Sequence, residues 1–181
     1  MAYSLDDVAW ASRAEGKVDE AEALERESLA MRVRLLGSEH PDVAKSLYLV
    51  GDRMRQRGDL NEAYSSLSTA LSIQRKGLDK DNPDLFETMR SLGLTLEAEG
   101  KMAEAEQMHR EALAGWRKGG GNETPQALSE LESLVHVLVA QKKFGEAEQL
   151  LGEALTPAFI KLPSSANLLA LRVEVMGRQG R

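Results

Sequence analysis

The chain has 181 residues, 42% of them hydrophobic and 29% charged, and it has no cysteine, which excludes disulfides, thiol chemistry and Cys-ligated zinc. Its net charge is −6 and its lysines and arginines form no cluster, so we expect no nucleic-acid partner. No apolar run reaches the roughly 20 residues of a membrane helix and no signal peptide is evident, so we expect a soluble, cytoplasmic protein without a membrane partner.

One short motif, Gly58-Asp59-Leu60-Asn61-Glu62-Ala63, recurs along the chain at a constant step of 42 residues. Its copies begin at positions 16, 58, 100 and 142. A proline keeps the same step at Pro41, Pro83 and Pro125. A fixed period in this range is typical of a stacked repeat protein.

Each repeat has the pattern of two antiparallel helices, with apolar residues spaced three and four positions apart. The predicted repeats cover residues 3–36, 41–78, 83–118 and 124–160, and a terminal helix covers 164–178. This gives about nine helices and no strands. In the terminal helix, Leu168, Leu171, Val175 and Met176 lie on one predicted face. The chain stops where another helix would follow, so we expect a fragment of a longer array.

Prolines and glycines mark the predicted helix ends. Each proline suits the first position of a helix, because the N–H that it lacks would have no partner there. His40, Asn82 and Thr124 precede the prolines as side-chain caps, His40 being the weaker one. Gly16, Gly58 and Gly100 end the first helices in a left-handed conformation. Lys142 stands at this position in the fourth repeat, where we expect it to cost about 1 kcal/mol.

Small residues recur where the two helices of a repeat are predicted to cross. On the second helices they are Ala21, Ala63, Ala105 and Ala147, followed by Ser28, Ala70, Ala112 and Ala154. On the first helices they are Ala9, Gly51 and Gly93. Side chains of this size allow the paired backbones to approach closely.

These motifs resemble the tetratricopeptide repeat (TPR). The 42-residue period and the stretch from Leu36 to Ala44 (Leu-Gly-Ser-Glu-His-Pro-Asp-Val-Ala) are similar to the kinesin-light-chain type, over roughly residues 3 to 160. The resemblance implies an all-α, right-handed superhelix, an α-solenoid, whose first helices line a concave groove for peptides or protein segments. It does not imply catalysis. A HEAT-like solenoid of similar period is the alternative fold.

The family's groove positions correspond to a set of first-helix residues in this sequence. The candidate partner-binding residues are Trp10, Arg13, Lys45, Tyr48, Leu49, Asp52, Arg55, Arg90, Leu94, Glu97 and His136. Kinesin light chains place paired asparagines in these helices to hold the backbone of a bound peptide. Here the pairs are Asp6-Asp7, Tyr48-Leu49, Arg90-Ser91 and Glu132-Ser133. A partner would therefore be held more by side chains than by its backbone.

Other kinds of site are not indicated. The three histidines, His40, His109 and His136, show no i, i+4 spacing on one helix, so we expect no metal site. The run Gly119-Gly120-Gly121 lacks the Lys-Ser/Thr of a phosphate loop and is predicted as a flexible linker. No pair of carboxylates stands out for acid–base chemistry, so we expect no cofactor and no enzyme.

Two functions are left open by the sequence. The first is a non-catalytic interaction module that binds an unidentified protein or peptide in the groove, with Trp10, Tyr48, Leu49 and Leu94 as an apolar strip. Arg13, Arg55 and Arg90 would be its anchors for carboxylates. The second is a structural or self-associating spacer domain, whose end helices pair with another copy.

Overall fold

The structure, a computed structural model, describes residues 2–121, 124–156, 159–161 and 163–178. Within these residues it contains nine α-helices, two short 3₁₀ segments and no strand, which confirms the all-α prediction. The helices are α1 (Ala2–Ala14), α2 (Val18–Leu36), α3 (Pro41–Arg57), α4 (Leu60–Gly77), α5 (Pro83–Ala98), α6 (Met102–Gly120), α7 (Pro125–Ala140), α8 (Phe144–Ala154) and α9 (Ala166–Arg178). The 3₁₀ segments are Phe159–Lys161 and Pro163–Ser165.

The chain divides into two compact units, residues 1–92 and 93–181, and the division falls inside α5. In the first unit, α1 packs on α2, α2 on α3 and α3 on α4. In the second unit, α6 packs on α7, α7 on α8, and both α7 and α8 on α9. Short turns join the two helices of a repeat, and such turns make neighbouring helices antiparallel.

The helix starts follow the predicted proline signals. The helices α3, α5 and α7 each begin at a proline. Before α3, the His40 ring nitrogen Nδ1 accepts the backbone N–H of Asp42 at 3.1 Å. Before α7, the Thr124 hydroxyl oxygen accepts the N–H of Ala127 at 3.2 Å. Side-chain caps thus satisfy donors that have no partner inside the helix.

The ends of the first helices depend on left-handed backbone. Gly58 has a φ of 89°, and Gly16 and Gly100 have φ values of 81° and 78°. Among the described residues that are not glycine, only Lys142 has a positive φ, of 62°. Lys142 therefore has the left-handed backbone conformation that the sequence predicts. This conformation is strained because it places Cβ too close to the following carbonyl oxygen.

The small residues lie at the helix crossings, as the sequence predicts. Ala21, Ala63, Ala105 and Ala147 are fully buried. At Gly51 an added Cβ would lie 2.7 Å from Leu67 Cγ, and at Gly93 it would lie 2.7 Å from the His109 ring. Glycine at these two positions therefore makes room for the side chain of the paired helix.

One sequence-based expectation is wrong. Gly119 and Gly120 continue α6 and are not part of a linker, although Gly121 has a φ of 83° and ends the helix. In α9, Leu168 and Val175 are fully buried, but Met176 is exposed. A helical periodicity assigns side chains to a face, whereas burial depends on how much of that face the neighbouring helices cover.

Ion pairs also connect the second helices within each unit. In the first unit, Arg26 of α2 donates to Glu62 of α4 at 3.0 Å. In the second unit, Arg110 of α6 donates to Glu146 of α8 at 2.6 Å. The two pairs occupy positions two 42-residue steps apart. They are solvent-exposed, and pairs of this kind contribute about 1 kcal/mol or less.

A buried charge network lies in the core of the second unit. His109 of α6 and Glu130 of α7 have no exposed surface, and their Nδ1 and Oε1 atoms are 2.5 Å apart. On the other side of the ring, Nε2 lies 2.7 Å from Oε1 of Glu97, whose side chain is 23% exposed. Burial lowers the pKa of His109, but the hydrogen bonds and charges of the two carboxylates outweigh it and raise the pKa to about 9. The imidazole is therefore protonated at neutral pH.

We expect Lys142→Gly to stabilise the protein. It removes the left-handed strain of about 1 kcal/mol, partly offset by the greater freedom of glycine in the unfolded chain. Gly58→Ala is the matched control, because nothing lies within 4 Å of its added Cβ, and it should destabilise through strain alone. Urea unfolding measures both. A lower unfolding free energy for Lys142→Gly would contradict the assignment.

We expect His109→Leu to destabilise the fold by about 3–5 kcal/mol, because it leaves the charge of Glu130 buried without its imidazolium. The equivalent positions in other repeats carry leucine for His109, as at Leu67, and threonine for Glu130, at Thr88. The double variant His109→Leu/Glu130→Thr should recover most of the loss in denaturant unfolding. If the double variant is as unstable as the single one, the charge network is not the cause.

The stability of the wild type should depend on pH through His109. Its folded pKa of about 9 exceeds the ordinary value of 6.5, so the folded state binds the proton more tightly than the unfolded chain. The stabilisation is complete below about pH 6.5 and is lost as the pH rises through about 9. Unfolding free energies of wild type and the double variant should therefore converge or cross across this window. A constant difference between them would contradict the assigned pKa.

Candidate functional site

The first-helix face of the first unit contains a small cavity between α1, α2 and α3. Its volume is about 200 Å³, and its lining is polar except for one leucine. The lining residues are Asp6, Arg32, Asp42, Lys45, Ser46 and Leu49. Two of them, Lys45 and Leu49, are among the predicted groove residues.

Arg32 of α2 is buried beneath this cavity and connects its walls. Its guanidinium donates to Ser28 at 2.9 Å, to Ser46 of α3 at 2.7 Å and to both carboxylate oxygens of Asp6 of α1. Burial raises the pKa of Asp6, but the hydrogen bonds from Arg32 and Ser28 hold it below its ordinary value. Asp6 occupies the position of a peptide-clamping asparagine, and here its carboxylate is used inside the fold.

Apolar side chains lie beside these charges in solvent. Trp10 is 74% exposed and follows Asp6 by one helical turn on α1, and Leu49 is 40% exposed and follows Lys45 by one turn on α3. Residues four apart share a helix face. Lys45 is exposed, and its charge is near enough to Asp6 to help lower the pKa of that carboxyl. The predicted apolar strip is thus exposed at Trp10 and Leu49, next to a cation.

The remaining predicted residues of α3 and α5 in this unit contact one another. Asp52 accepts hydrogen bonds from Arg55 Nη2 at 2.9 Å and from the Ser91 hydroxyl of α5 at 3.0 Å. Tyr48 is half-buried, and burial with the nearby charge of Asp52 raises its pKa. The charge of Arg90 lies near the same phenol. Arg55, predicted as an anchor for a partner's carboxylate, therefore already has a carboxylate of its own chain.

Arg13 is likewise engaged within the fold. Its Nη2 lies 3.5 Å from both carboxylate oxygens of Glu25 on α2. Glu25 also forms an ion pair with Arg53 of α3, in which Nη2 of Arg53 lies 2.9 Å from Oε1 of Glu25. Two guanidiniums thus converge on one carboxylate at the junction of three helices.

The second unit carries the other predicted residues on α5 and α7. Leu94 is half-buried and His136 is exposed. Glu97 is tied to the buried ring of His109. These residues are not part of the cavity described above, which belongs to the first unit.

Several residues that shape the site were not singled out by the sequence. They are Arg32, Arg53 and Glu25. The sequence signal that could have identified them is a polar residue at a position of the repeat that is buried. Arg32, for example, stands where the repeats that follow carry Gln74 and Trp116, and all three positions are largely buried.

The described residues contain neither a metal-binding cluster nor a membrane-spanning helix. In that part of the chain, no three His, Asp or Glu side chains are placed to hold a metal ion together. None of the helices described has the length and apolar character needed to cross a membrane.

Comparisons with known proteins give the family. Tetratricopeptide repeat profiles match residues 54–118 and 84–156, and a further tetratricopeptide repeat profile matches residues 1–42. No curated protein sequence matches the chain.

Solved structures share the fold. A Podosopora anserina protein of the kinesin-light-chain type with nearly identical TPR-like repeats is 24% identical, with a TM-score of 0.87 over 98% of this chain and 86% of that one. BtubC (BKLC) from P. vanneervenii is 20% identical, with a TM-score of 0.77 over 96% of this chain and 72% of that one. These likenesses favour the TPR solenoid over the HEAT-like alternative. With profiles covering more than half of its length, the chain belongs to the tetratricopeptide repeat family.

Proposed function

We propose that this chain is a non-catalytic, cytoplasmic protein-binding module whose first unit holds a peptide or protein segment against α1 and α3. Tetratricopeptide repeats generally mediate interactions between proteins. The observation that carries the proposal is the exposure of Leu49 in the lining of the cavity, with the exposed Trp10 one helical turn after Asp6 of the same lining. A cavity of about 200 Å³ accommodates a side chain or two, whereas it is smaller than a typical small-molecule site.

The charges next to these apolar groups indicate how a segment would be oriented. Leu49 and Trp10 would be removed from water on binding, which contributes about 25 cal/mol per Å² before the entropic cost of association. Lys45 is an exposed cation at this face, and its ammonium would donate to an acidic group of the partner. Arg55 would contribute less, because a partner would have to compete with Asp52 for its guanidinium.

The alternative function is a self-associating spacer. It is favoured by exposed apolar side chains outside this face, such as Leu35 of α2 at 69% and Val173 of α9 at 71%. Sedimentation over a wide range of protein concentration separates the two functions. A monomer at every concentration supports the binding module, and a dimer that forms on concentration supports the spacer.

The proposed site can be tested without knowing the natural partner. Peptides selected from a random display library against the wild type should bind Leu49→Asp at least about tenfold more weakly, because a central apolar anchor commonly contributes more than 1 kcal/mol. The control is Leu35→Asp, which changes a more exposed leucine on α2, away from the cavity. It should leave the affinity unchanged.

Isothermal titration measures these affinities, and circular dichroism checks that both variants keep their helical content. Selected peptides that bind Leu49→Asp as tightly as the wild type would contradict the proposal. So would peptides that lose affinity only for Leu35→Asp.

A further inference from the structure

One face of α1 lacks the helix that covers the equivalent face of later repeats. Val8 is 49% exposed, whereas Val50 of α3 and Leu134 of α7, one and three repeats later, are 6% and 1% exposed. Val50 packs with Leu29 of α2, and Leu134 lies in one cluster with Leu113 of α6. In both cases the covering residue belongs to the second helix of the preceding repeat. The described residues leave Val8 without such a cover.

The uncovered surface extends along α1. Residues three or four positions apart share a side of a helix. On this side all the residues are exposed, and they form the stacking face of α1: Ser4, Val8, Ala11 and Glu15. Trp10 projects from another side, because two positions correspond to about 200° around a helix axis. The stacking face is therefore distinct from the peptide site at Trp10 and Leu49, and an inference about it does not rest on that site.

Where α2 covers α3 and α6 covers α7, opposite charges meet between the two helices. Glu25 of α2 pairs with Arg53 of α3 at 2.9 Å. His109 of α6 lies 2.5 Å from Glu130 of α7. Glu25 and His109 occupy the same repeat position, two 42-residue steps apart. A charge at this position of a second helix is thus matched by a charge on the first helix that it covers.

The stacking face of α1 has no such charge to offer. Ala11 stands at the repeat position of Arg53, and Ser4 stands at that of Glu130. A covering helix with a charged residue at the Glu25 position would bury that charge without a counter-charge, which is unfavourable. The face therefore favours a helix with an apolar residue at this position.

The same combination of residues occurs once more in the chain. At the four repeat positions of the stacking face, α5 has a hydroxyl, an aliphatic, a small uncharged and an acidic residue, as α1 does. They are Thr88, Leu92, Thr95 and Glu99. The second helix that precedes α5 in the sequence is α4, and it has Leu67 at the Glu25 position. A helix of the α4 kind is therefore the one that the α1 face matches.

We propose that the stacking face of α1 is a docking site for an amphipathic helix of another protein, with an apolar residue at the position that Leu67 has in α4. Such a helix would continue the stacking interface that α2 makes on α3 and α6 makes on α7. A second copy of this chain has no free helix of this kind among its described residues. Leu67 of α4 and Leu151 of α8 are fully buried in their own fold, and α2 and α6 have Glu25 and His109 at this position.

The first experiment titrates the full chain into a fluorescently labelled peptide with the α4 sequence, residues 60–77. Fluorescence anisotropy should show saturable binding, and at least about tenfold weaker binding to Val8→Asp, because the new carboxylate would face the apolar side of the peptide. Val173→Asp changes an exposed valine on α9 and is the control, with unchanged affinity expected. No binding to the wild type, or equal affinity for wild type and Val8→Asp, would overturn the proposal.

The second experiment changes the peptide. A peptide with Leu67→Glu should bind the wild type at least about tenfold more weakly, whereas Ser72→Glu adds the same charge on the exposed side of α4 and should not weaken binding. The chain variant Ala11→Arg should restore affinity for the Leu67→Glu peptide, because it recreates the pair of Glu25 and Arg53. Equal binding of both modified peptides, or no recovery with Ala11→Arg, would overturn the alignment of the docked helix.

Sedimentation of the chain without peptide tests the other occupant. A wild-type monomer supports a helix from another protein. A wild-type dimer that Val8→Asp dissociates would overturn the proposal, since a second copy would then cover the stacking face.

Discussion

The rest of the structure depends on close backbone contact between the two helices of each repeat. Ala63 and Ala105 have no exposed surface at these crossings. At Gly51 even one added carbon would come within 2.7 Å of Leu67. Because interiors are packed as densely as organic crystals, a larger residue there would displace a helix and every contact beyond it. The crossing therefore fixes the register of the array and leaves the outward positions free to vary.

Sequence predicted the fold well because its signals act on the backbone of single residues. A proline fixes φ wherever it stands, and a glycine takes a left-handed φ at little cost, so Pro41 and Gly58 mark helix ends without reference to any neighbour. Lys142 is the informative case. The 42-residue register alone assigned it a left-handed conformation that its side chain disfavours, and its φ is 62°. The same local reasoning assigns Met176 to a helix face but does not give its burial, which depends on distant helices.

The site was less predictable because the role of a charged side chain depends on which other charged side chains lie next to it in the folded protein. Helical spacing placed Arg55 on the groove face, but spacing does not show whether a guanidinium is available. Its acceptor, Asp52, is three positions away on the same helix. The Ser91 hydroxyl, which belongs to another repeat, donates a second hydrogen bond to the same Asp52 carboxylate. His109 appeared to be an isolated histidine on a second helix. Its partner Glu130 is 21 positions away, and no local rule connects them.

The two charged junctions differ in how many donors of their cations are engaged within the fold. In the second unit both ring nitrogens of His109 meet carboxylates, so the imidazolium is fully engaged and its effect is on stability. In the first unit Arg13 and Arg53 bring ten N–H donors to Glu25, which can accept about four hydrogen bonds. A donor that is buried away from water costs stability when no group accepts from it, whereas a donor near solvent can bond to water. A repeat array can carry such a junction because its register is fixed elsewhere, at the small residues of the helix crossings.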